Sequence, residues 1–373
     1  MLFKMERTEE RRRFLRRGFN TYLATCFTGG VMGTSCIETH KSKAHGTFDG
    51  ESTSFQTQFP AMGSLLKVLW EDEGATRSEV LERAQKIDLG ARQVAEHWNS
   101  VLSDYDDDSE SSRVTSAADD LEWHNVSSDF TAILNEADHW YQLSEGAFDV
   151  ALGAMTRLRR RRRIPSQEVW AKAKDRVGWH HVDWDRVQSR LRLKRSGVRF
   201  DFGAIGKGWV ADRIYDLLIA TGIQRCLVNF AGNMRVGLPP RGKSGWPVSI
   251  DAILEGDSER GPDELVRLSL SQCGISTSGD RWQRLPDASS QASGRKTSHI
   301  LDPRIGLGIS APQSVTIIAS NATRADAAST ASSVHLNGNR SHWLDRLVKS
   351  SDEYRWIIQF VEDERIHLLQ RLQ

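Results

Sequence analysis

Beyond residue 224 the chain turns almost wholly to short apolar runs: RCLVNFAG (225–232), WPVSIDAI (246–253), LVRLSLSQCGIST (265–277), SVTIIAS (314–320) and YRWIIQF (354–360). One small-residue helix, RADAASTASSVH (324–335), stands among them. Strands that succeed one another with so few helices between them pair through antiparallel hairpins, because a parallel pair needs a long crossover. The helices upstream also come together. One covers 77–102, with Ile87, Ala91, Val94, Trp98 and Val101 on an apolar face. The next opens at the N-cap candidates Ser128 and Asp129, carries Phe130, Ile133, Leu134, Ala137 and Tyr141 as a stripe, and stops before Gly146. The expectation is an α+β fold, a largely antiparallel β-sheet with packed helices in a single compact catalytic unit.

The chain has 373 residues, room for one large or two moderate domains, and 39% of them are hydrophobic, enough for a sizeable core. No internal repeat or interior low-complexity linker divides it, so the folded unit is expected over 57–373, entered by the strand AMGSLLKVLW (61–70). Residues 37–56 read as a polar linker. In residues 1–36, Arg11, Arg12 and Arg13 with Phe14 and Leu15 precede a small-residue apolar stretch ending in GTSC. That order resembles a twin-arginine export signal with Cys36 as a candidate for lipid attachment; a basic tail on a cytoplasmic protein is the alternative. The apolar part is short and broken by Asn20, Thr21, Thr25 and Thr28, which argues against a membrane-spanning helix. An exported protein on the periplasmic side of the cell envelope, lipid-anchored through Cys36, is the expectation for location.

Lys and Arg number 50 against 49 Asp and Glu, and a net charge of +1 offers no global reason to expect nucleic acid. The basic character is local: Arg157 to Arg163 holds six arginines and one leucine. No aromatic residues interleave with them, so the run reads as a solvated loop insertion without a catalytic role. Cys226 and Cys273 lie in strand-like apolar contexts, where cysteine acts as a small buried hydrophobe, and no Cys or His spacing suggests a metal site.

The stretch DFGAIGKGWVADRI (201–214) crowds three glycines into a loop. RLRL (190–193) and VRFDF (198–202) alternate apolar with polar residues across KRSG, which predicts a hairpin ending near Phe202. Val210, Ile214, Leu217 and Leu218 then recur at helical spacing as far as Gly222. A helix starting at Gly206 to Gly208 would turn unpaired N–H groups and the charge of Lys207 outward, a place for an anion. Its spacing is neither that of a Walker loop nor that of the dinucleotide fingerprint. Taken alone, the loop is either a phosphate site or a tight turn that packs a helix on a sheet.

Eight pieces appear in order: MGS at 62, SDYDDDSESSRV at 103, GAFDVALG at 146, DFGAIGKGWVAD at 201, NFAGNMRVG at 229, ISTSGD at 275, HILDPRIG at 299 and ADAAST at 325. This series resembles the FAD:protein FMN transferase (ApbE) family over nearly everything after the leader. The resemblance implies an ApbE-like, T-fold-like architecture. It also implies a bacterial enzyme that binds FAD with Mg2+, cuts the pyrophosphate, transfers FMN to a threonine or serine hydroxyl of an acceptor protein and releases AMP. Acceptors would be flavin-bearing subunits of sodium-pumping quinone reductases and related exported electron carriers. The chain departs from the family's pattern at Ala204 and Gly206 of the loop, at Ala231 and Asn233 in place of G-G-D, and at Ile305 where D-P-x-T-G has threonine.

By this resemblance Asp326 and Thr330, four apart on one helix face, are metal ligands together with the main-chain carbonyl of Ala204. Asp201, Lys207, Gly206, Gly208 and the Ala147, Phe148 and Asp149 of GAFD fall to FAD. Met62 and Tyr105 lie against the flavin, or else are packing residues. His299, with Ile300 beside it, is a general acid or base, a flavin contact, or a hydrogen-bonded core histidine; Asp302 orients the turn before Pro303. Asp326 and His299 are the candidate catalytic residues. An Mg2+-dependent FAD pyrophosphatase giving FMN and AMP would use the same site, and a non-catalytic exported flavin-binding protein would keep the pocket without needing the metal.

Overall fold

Ten strands pair in one sheet: β1 (Ser35–Cys36), β2 (His45–Asp49), β3 (Ser52–Ala61), β4 (Ser64–Asp72), β5 (Cys226–Phe230), β6 (Asn233–Val236), β7 (Cys273–Gly279), β8 (Gln313–Ala319), β9 (Arg355–Glu362) and β10 (Arg365–Arg371). They stand side by side in chain order, each antiparallel to the next. The computed structural model describes residues 35–36, 45–49, 52–72, 76–160, 165–253, 264–279, 284–286, 296–310, 312–337, 342–350, 354–362 and 365–372. Of the leader expected over 1–36, only Ser35 and Cys36 fall among them, as β1 paired with β2; residues 1–34 and Arg161 to Arg163 lie outside. The segment expected as a linker at 37–56 in fact contributes β2 and the first half of β3, whose register runs from His45 opposite Gln56 to Asp49 opposite Ser52.

Two hairpins carry the sheet's twist. Met62 and Gly63 join β3 to β4 with φ of 43° and 74°, and Ala231 and Gly232 join β5 to β6 with φ of 52° and 91°. Left-handed backbone at both turn positions matches the right-handed twist of the strands. A non-glycine residue there carries about 1–2 kcal/mol of strain. Along β4 the alternation works as the pattern requires, with Leu66, Val68 and Trp70 buried against the helices.

Eight α-helices are described: α1 (Arg77–Leu102), α2 (Glu110–Ala117), α3 (Ser128–Leu143), α4 (Gly153–Arg160), α5 (Gln167–Lys174), α6 (Gly206–Ala220), α7 (Ala322–His335) and α8 (Trp343–Ser350). Thr76 and Glu79 start α1 with a reciprocal capping box, and its buried stripe runs from Val80 to Leu102. Among the described residues no helix is long and apolar enough to cross a membrane.

The expected hairpin across KRSG does not form. RLRL pairs instead with Val182–Asp185 upstream, and residues 198–202 form no ladder. Their alternation is nonetheless real: Val198, Phe200 and Phe202 are buried, with Phe202 at 5.6 Å from the Phe130 ring. Backbone groups there bond to the turn at 150–153, through Asp201 N–H to the Val150 carbonyl at 2.7 Å and Gly153 N–H to the Arg199 carbonyl at 2.8 Å. Side-chain burial fixed the pattern, and hydrogen bonding went elsewhere.

Helix α7 packs on β7 and β8 with almost every residue buried. Its interior serines are satisfied by remote partners: Ser329 Oγ lies 2.8 Å from Ser278 Oγ, and Ser332 Oγ accepts from Trp343 Nε1 at 2.8 Å.

Candidate active site

Helices α6 and α7 touch where α6 begins. A Cβ at Gly208 would collide with the Ala322 carbonyl oxygen and stand 2.8 Å from Asp326 Cβ, so glycine is what permits the contact. Gly208 N–H donates to Asp326 Oδ2 at 2.9 Å. One turn along α6, the buried Asp212 accepts from the N–H groups of Ala322 and Thr323 at 3.0 and 2.8 Å and from the Thr323 hydroxyl at 2.5 Å. It thereby caps α7 from a neighbouring helix, while Asn321 accepts from Arg324 N–H at 2.8 Å. Sequence reasoning assigned Asp212 no role, although a carboxylate four residues after Gly208 on an apolar helix was the available signal.

The anion cradle expected from the helix terminus is largely spoken for by the chain. Gly206 N–H donates to the Phe202 carbonyl at 2.7 Å, and Gly208 N–H goes to Asp326. What remains for an anion at these positions is Lys207, half-buried, with its ammonium on the Gly203 carbonyl at 2.9 Å. Its charge reaches both Asp201 and Asp326. Burial pushes the Asp326 carboxyl up, opposed by Lys207 and the Gly208 N–H.

The expected metal ligands are all oxygen donors. Helix geometry would send Gly208 N–H to the carbonyl four residues back, that of Ala204; its diversion to Asp326 leaves the Ala204 carbonyl without that donor. Thr330, a turn after Asp326 on α7, has its hydroxyl 3.0 Å from Ser278 Oγ. Among the described residues no three His, Cys, Asp or Glu side chains converge. One carboxylate with hydroxyl and carbonyl oxygens is a hard donor set that fits Mg2+.

The arginine run is not a solvated loop over its described part. Arg157, Arg159 and Arg160 sit in the last turn of α4. Arg157 donates to the Asp104 carbonyl at 2.5 Å, and Arg160 pairs with the carboxylates of both Asp104 and Asp201 while lying 4.4 Å from the centroid of the Tyr105 ring. Arg159 is buried and donates to the Ser298 carbonyl at 2.5 Å and Thr297 Oγ1 at 3.0 Å. Like charges in sequence thus find separate acceptors from distant segments. Burial raises the Asp201 carboxyl, but Arg160, hydrogen bonds from Thr156 and Gly203 N–H, and Lys207 outweigh it and hold the group below the usual carboxylate range. Asp104 is raised by burial and by the like charge of Asp201, with Arg160 opposing.

The other expected positions divide. Ala147 and Ile300, from motifs far apart in sequence, share a small apolar cluster with Ile309 and Val334. Tyr105 is 77% exposed, and Met62 packs half-buried against the main core. Phe148 is interior to that core. Asp149 is also buried: its oxygens accept from Ala151 N–H at 2.7 Å and Trp179 N–H at 2.8 Å, and burial pushes its carboxyl up to about 7. The Phe148 and Asp149 side chains therefore serve the interior, which leaves their main chain as the part of the motif that could meet FAD. His299 is exposed, directly after the Ser298 that Arg159 holds. Asp302 organises its turn as expected, accepting from Arg304 N–H at 3.0 Å.

The ApbE family model matches residues 62–351. The FAD:protein FMN transferase of Chlamydia muridarum is 27% identical over 248 residues, covering 64% of this chain and 72% of that protein. Its counterpart in Haemophilus influenzae is 26% identical over 279 residues, covering 72% and 77%. The solved flavin transferase ApbE from Vibrio cholerae has a TM-score of 0.71 at 21% identity, covering 86% of this chain and 97% of that one, and so shares its fold.

Proposed function

Since the chain belongs to the ApbE family, we propose that it is an Mg2+-dependent FAD:protein FMN transferase. The observation that carries the proposal is the 2.9 Å bond from Gly208 to Asp326, which joins the Lys207 loop to the helix of Asp326 and Thr330. A cation for phosphate and oxygen donors for a metal then share one site. In the reaction the acceptor hydroxyl oxygen forms a bond to the FMN-side phosphorus, the bond from that phosphorus to the bridging oxygen breaks, and AMP leaves with the bridging oxygen. The hydroxyl proton goes to a nearby base, for which the exposed His299 is the candidate. Mg2+ held by Asp326, Thr330 and the Ala204 carbonyl would neutralise charge on the diphosphate. Lys207 binds the diphosphate, while Asp201 and Tyr105 hold the flavin nucleotide in place.

Incubation with FAD, Mg2+ and a peptide bearing a flavinylation threonine tests the proposal by mass spectrometry. The peptide should gain the mass of FMN as AMP appears. Free FMN and AMP with an unchanged peptide would make the enzyme a pyrophosphatase, and no loss of FAD would leave a binding protein. In Lys207→Ala one charge-assisted contact of about 1.5–3 kcal/mol is gone, so FAD affinity falls about ten- to a hundredfold. FMN, with a single phosphate, loses less. Calorimetric titration of both ligands checks this, and equal losses would deny the loop any preference for the diphosphate.

The acceptors we propose are exported electron carriers, including flavin-bearing subunits of sodium-pumping quinone reductases, which fits an exported enzyme anchored at Cys36. With Arg11 and Arg12 both changed to lysine, the protein stays inside the cell at full length. Unchanged fractionation between cytoplasm and envelope would remove the export proposal.

A further inference from the structure

We infer that Arg160 is a positioning residue for FAD, holding the Asp201 carboxylate and the Tyr105 ring in the arrangement the nucleotide meets; the inference rests on the function proposed above. Arg160 is the last described residue of α4. Its planar guanidinium bridges Asp104 from the loop after α1 and Asp201 from the loop before α6, and lies 4.4 Å from the Tyr105 ring centroid. Tyr105 is 77% exposed, which leaves room beside it for a second flat group such as a flavin ring system. Asp201 in turn accepts from Gly203 N–H at 2.8 Å, and the Gly203 carbonyl accepts from the Lys207 ammonium at 2.9 Å. One side chain thus connects the exposed aromatic ring to the residue proposed to bind the diphosphate, by a path of direct contacts.

Arginine is suited to this work where lysine is not. It can serve two carboxylates with separate nitrogens and stack on a ring at once, whereas an ammonium supplies charge without the plane. Without any cation, Asp104 and Asp201 would face each other as like charges in a half-enclosed site, and one of them would move away or take up a proton. Either outcome misplaces Asp201 without altering Asp326 or Thr330. The penalty therefore falls on FAD binding and KM more than on kcat.

The test compares wild type, Arg160→Lys, Arg160→Met and Arg160→Met with Asp104→Asn, reading FAD affinity by flavin fluorescence, KM and kcat for FMN transfer, and melting temperature. Arg160→Met should weaken FAD by about tenfold or more, in keeping with loss of charge-assisted bonds, chiefly through KM. Arg160→Lys should recover part of that loss, and adding Asp104→Asn to Arg160→Met should recover part by removing the opposed charge. FAD affinity within twofold of wild type in Arg160→Met overturns the inference, as does a fall in kcat with KM unchanged. If Arg160→Met does not fold, Arg160→Lys decides: weaker FAD binding at an unchanged melting temperature supports positioning, and wild-type binding overturns it. Wild type that fails to bind FAD would sink the proposed function and this inference together, whereas equal binding by wild type and variant sinks the inference alone.

Discussion

Gly208→Ala forces α6 and α7 apart and removes activity together with about 3 kcal/mol or more of stability, at or above the upper end of ordinary overpacking. The added methyl would meet the Ala322 carbonyl and stand 2.8 Å from Asp326 Cβ, where ordinary contact begins at 3.4 Å. Neither neighbour has room to yield. The N–H groups of Ala322 and Thr323 are held by Asp212, so the first turn of α7 retreats only by giving up buried hydrogen bonds. Gly206→Ala, two residues away, is the control: its Cβ would lie 3.4 Å from Leu102 Cδ1, a flexible side-chain tip. That change should stay within about 1 kcal/mol of wild type, since alanine is favoured over glycine inside a helix. Urea midpoints of the two variants decide the matter. A Gly208→Ala protein as stable as Gly206→Ala would mean that the two helices do not approach so closely.

Asp326→Asn should lower kcat by at least about a hundredfold, because loss of a direct ligand exceeds the 10- to 100-fold typical of groups one shell further out. Asparagine keeps the size of the side chain and an oxygen to accept the Gly208 N–H, so the helix contact survives. What disappears is the charge. Burial already disfavours the carboxylate at this position, so its removal should leave the melting temperature within a few degrees of wild type. FAD should still bind through Lys207, and this separates the effect from misfolding. Turnover near wild type at saturating FAD and micromolar Mg2+ would rule out Asp326 as a ligand. Chelation of the metal in wild type should reproduce the same loss.

Local periodicity carried much of the fold. The stripe from Ile87 to Val101 was legible because a helix face is written in adjacent residues, and the start of α3 was legible to within one residue, the cap being Ser127, which accepts from Phe130 N–H, rather than Ser128 or Asp129. Partners far apart in sequence were not. Arg157, Arg159 and Arg160 looked like a solvated cluster because their acceptors, Asp104 and Asp201 on either side and Thr297 and Ser298 far downstream, lie tens of residues or more away. The RLRL and VRFDF alternation showed which side chains face inward but not which backbone they pair with, since burial and strand pairing impose the same period. At the site, Asp326, Thr330 and Lys207 were found through motif resemblance, and the structure adds that Gly208 joins their two helices. The two N–H groups expected to hold an anion could not be judged from sequence, because the acceptor that takes one of them, Asp326, sits more than a hundred residues on.

Strand order also governs how the chain can assemble. The β2–β3, β3–β4, β5–β6 and β9–β10 pairs close over very short connections, whereas β4 meets β5 only around the whole of residues 73–225. Loop-closure entropy for a segment of that length is about 4–5 kcal/mol, and it must be offset before the seam's own pairing contributes. The helices of the insertion, packed on one another and on the face of β4, are what can offset it. Tyr105, Asp201 and Lys207 ride on that insertion, and Asp326 follows only after β8 is in place. Hydrogen exchange during refolding should therefore protect the β3–β4 hairpin early and the β4–β5 seam late, with competence to bind FAD arriving at the seam's closure rather than strand by strand.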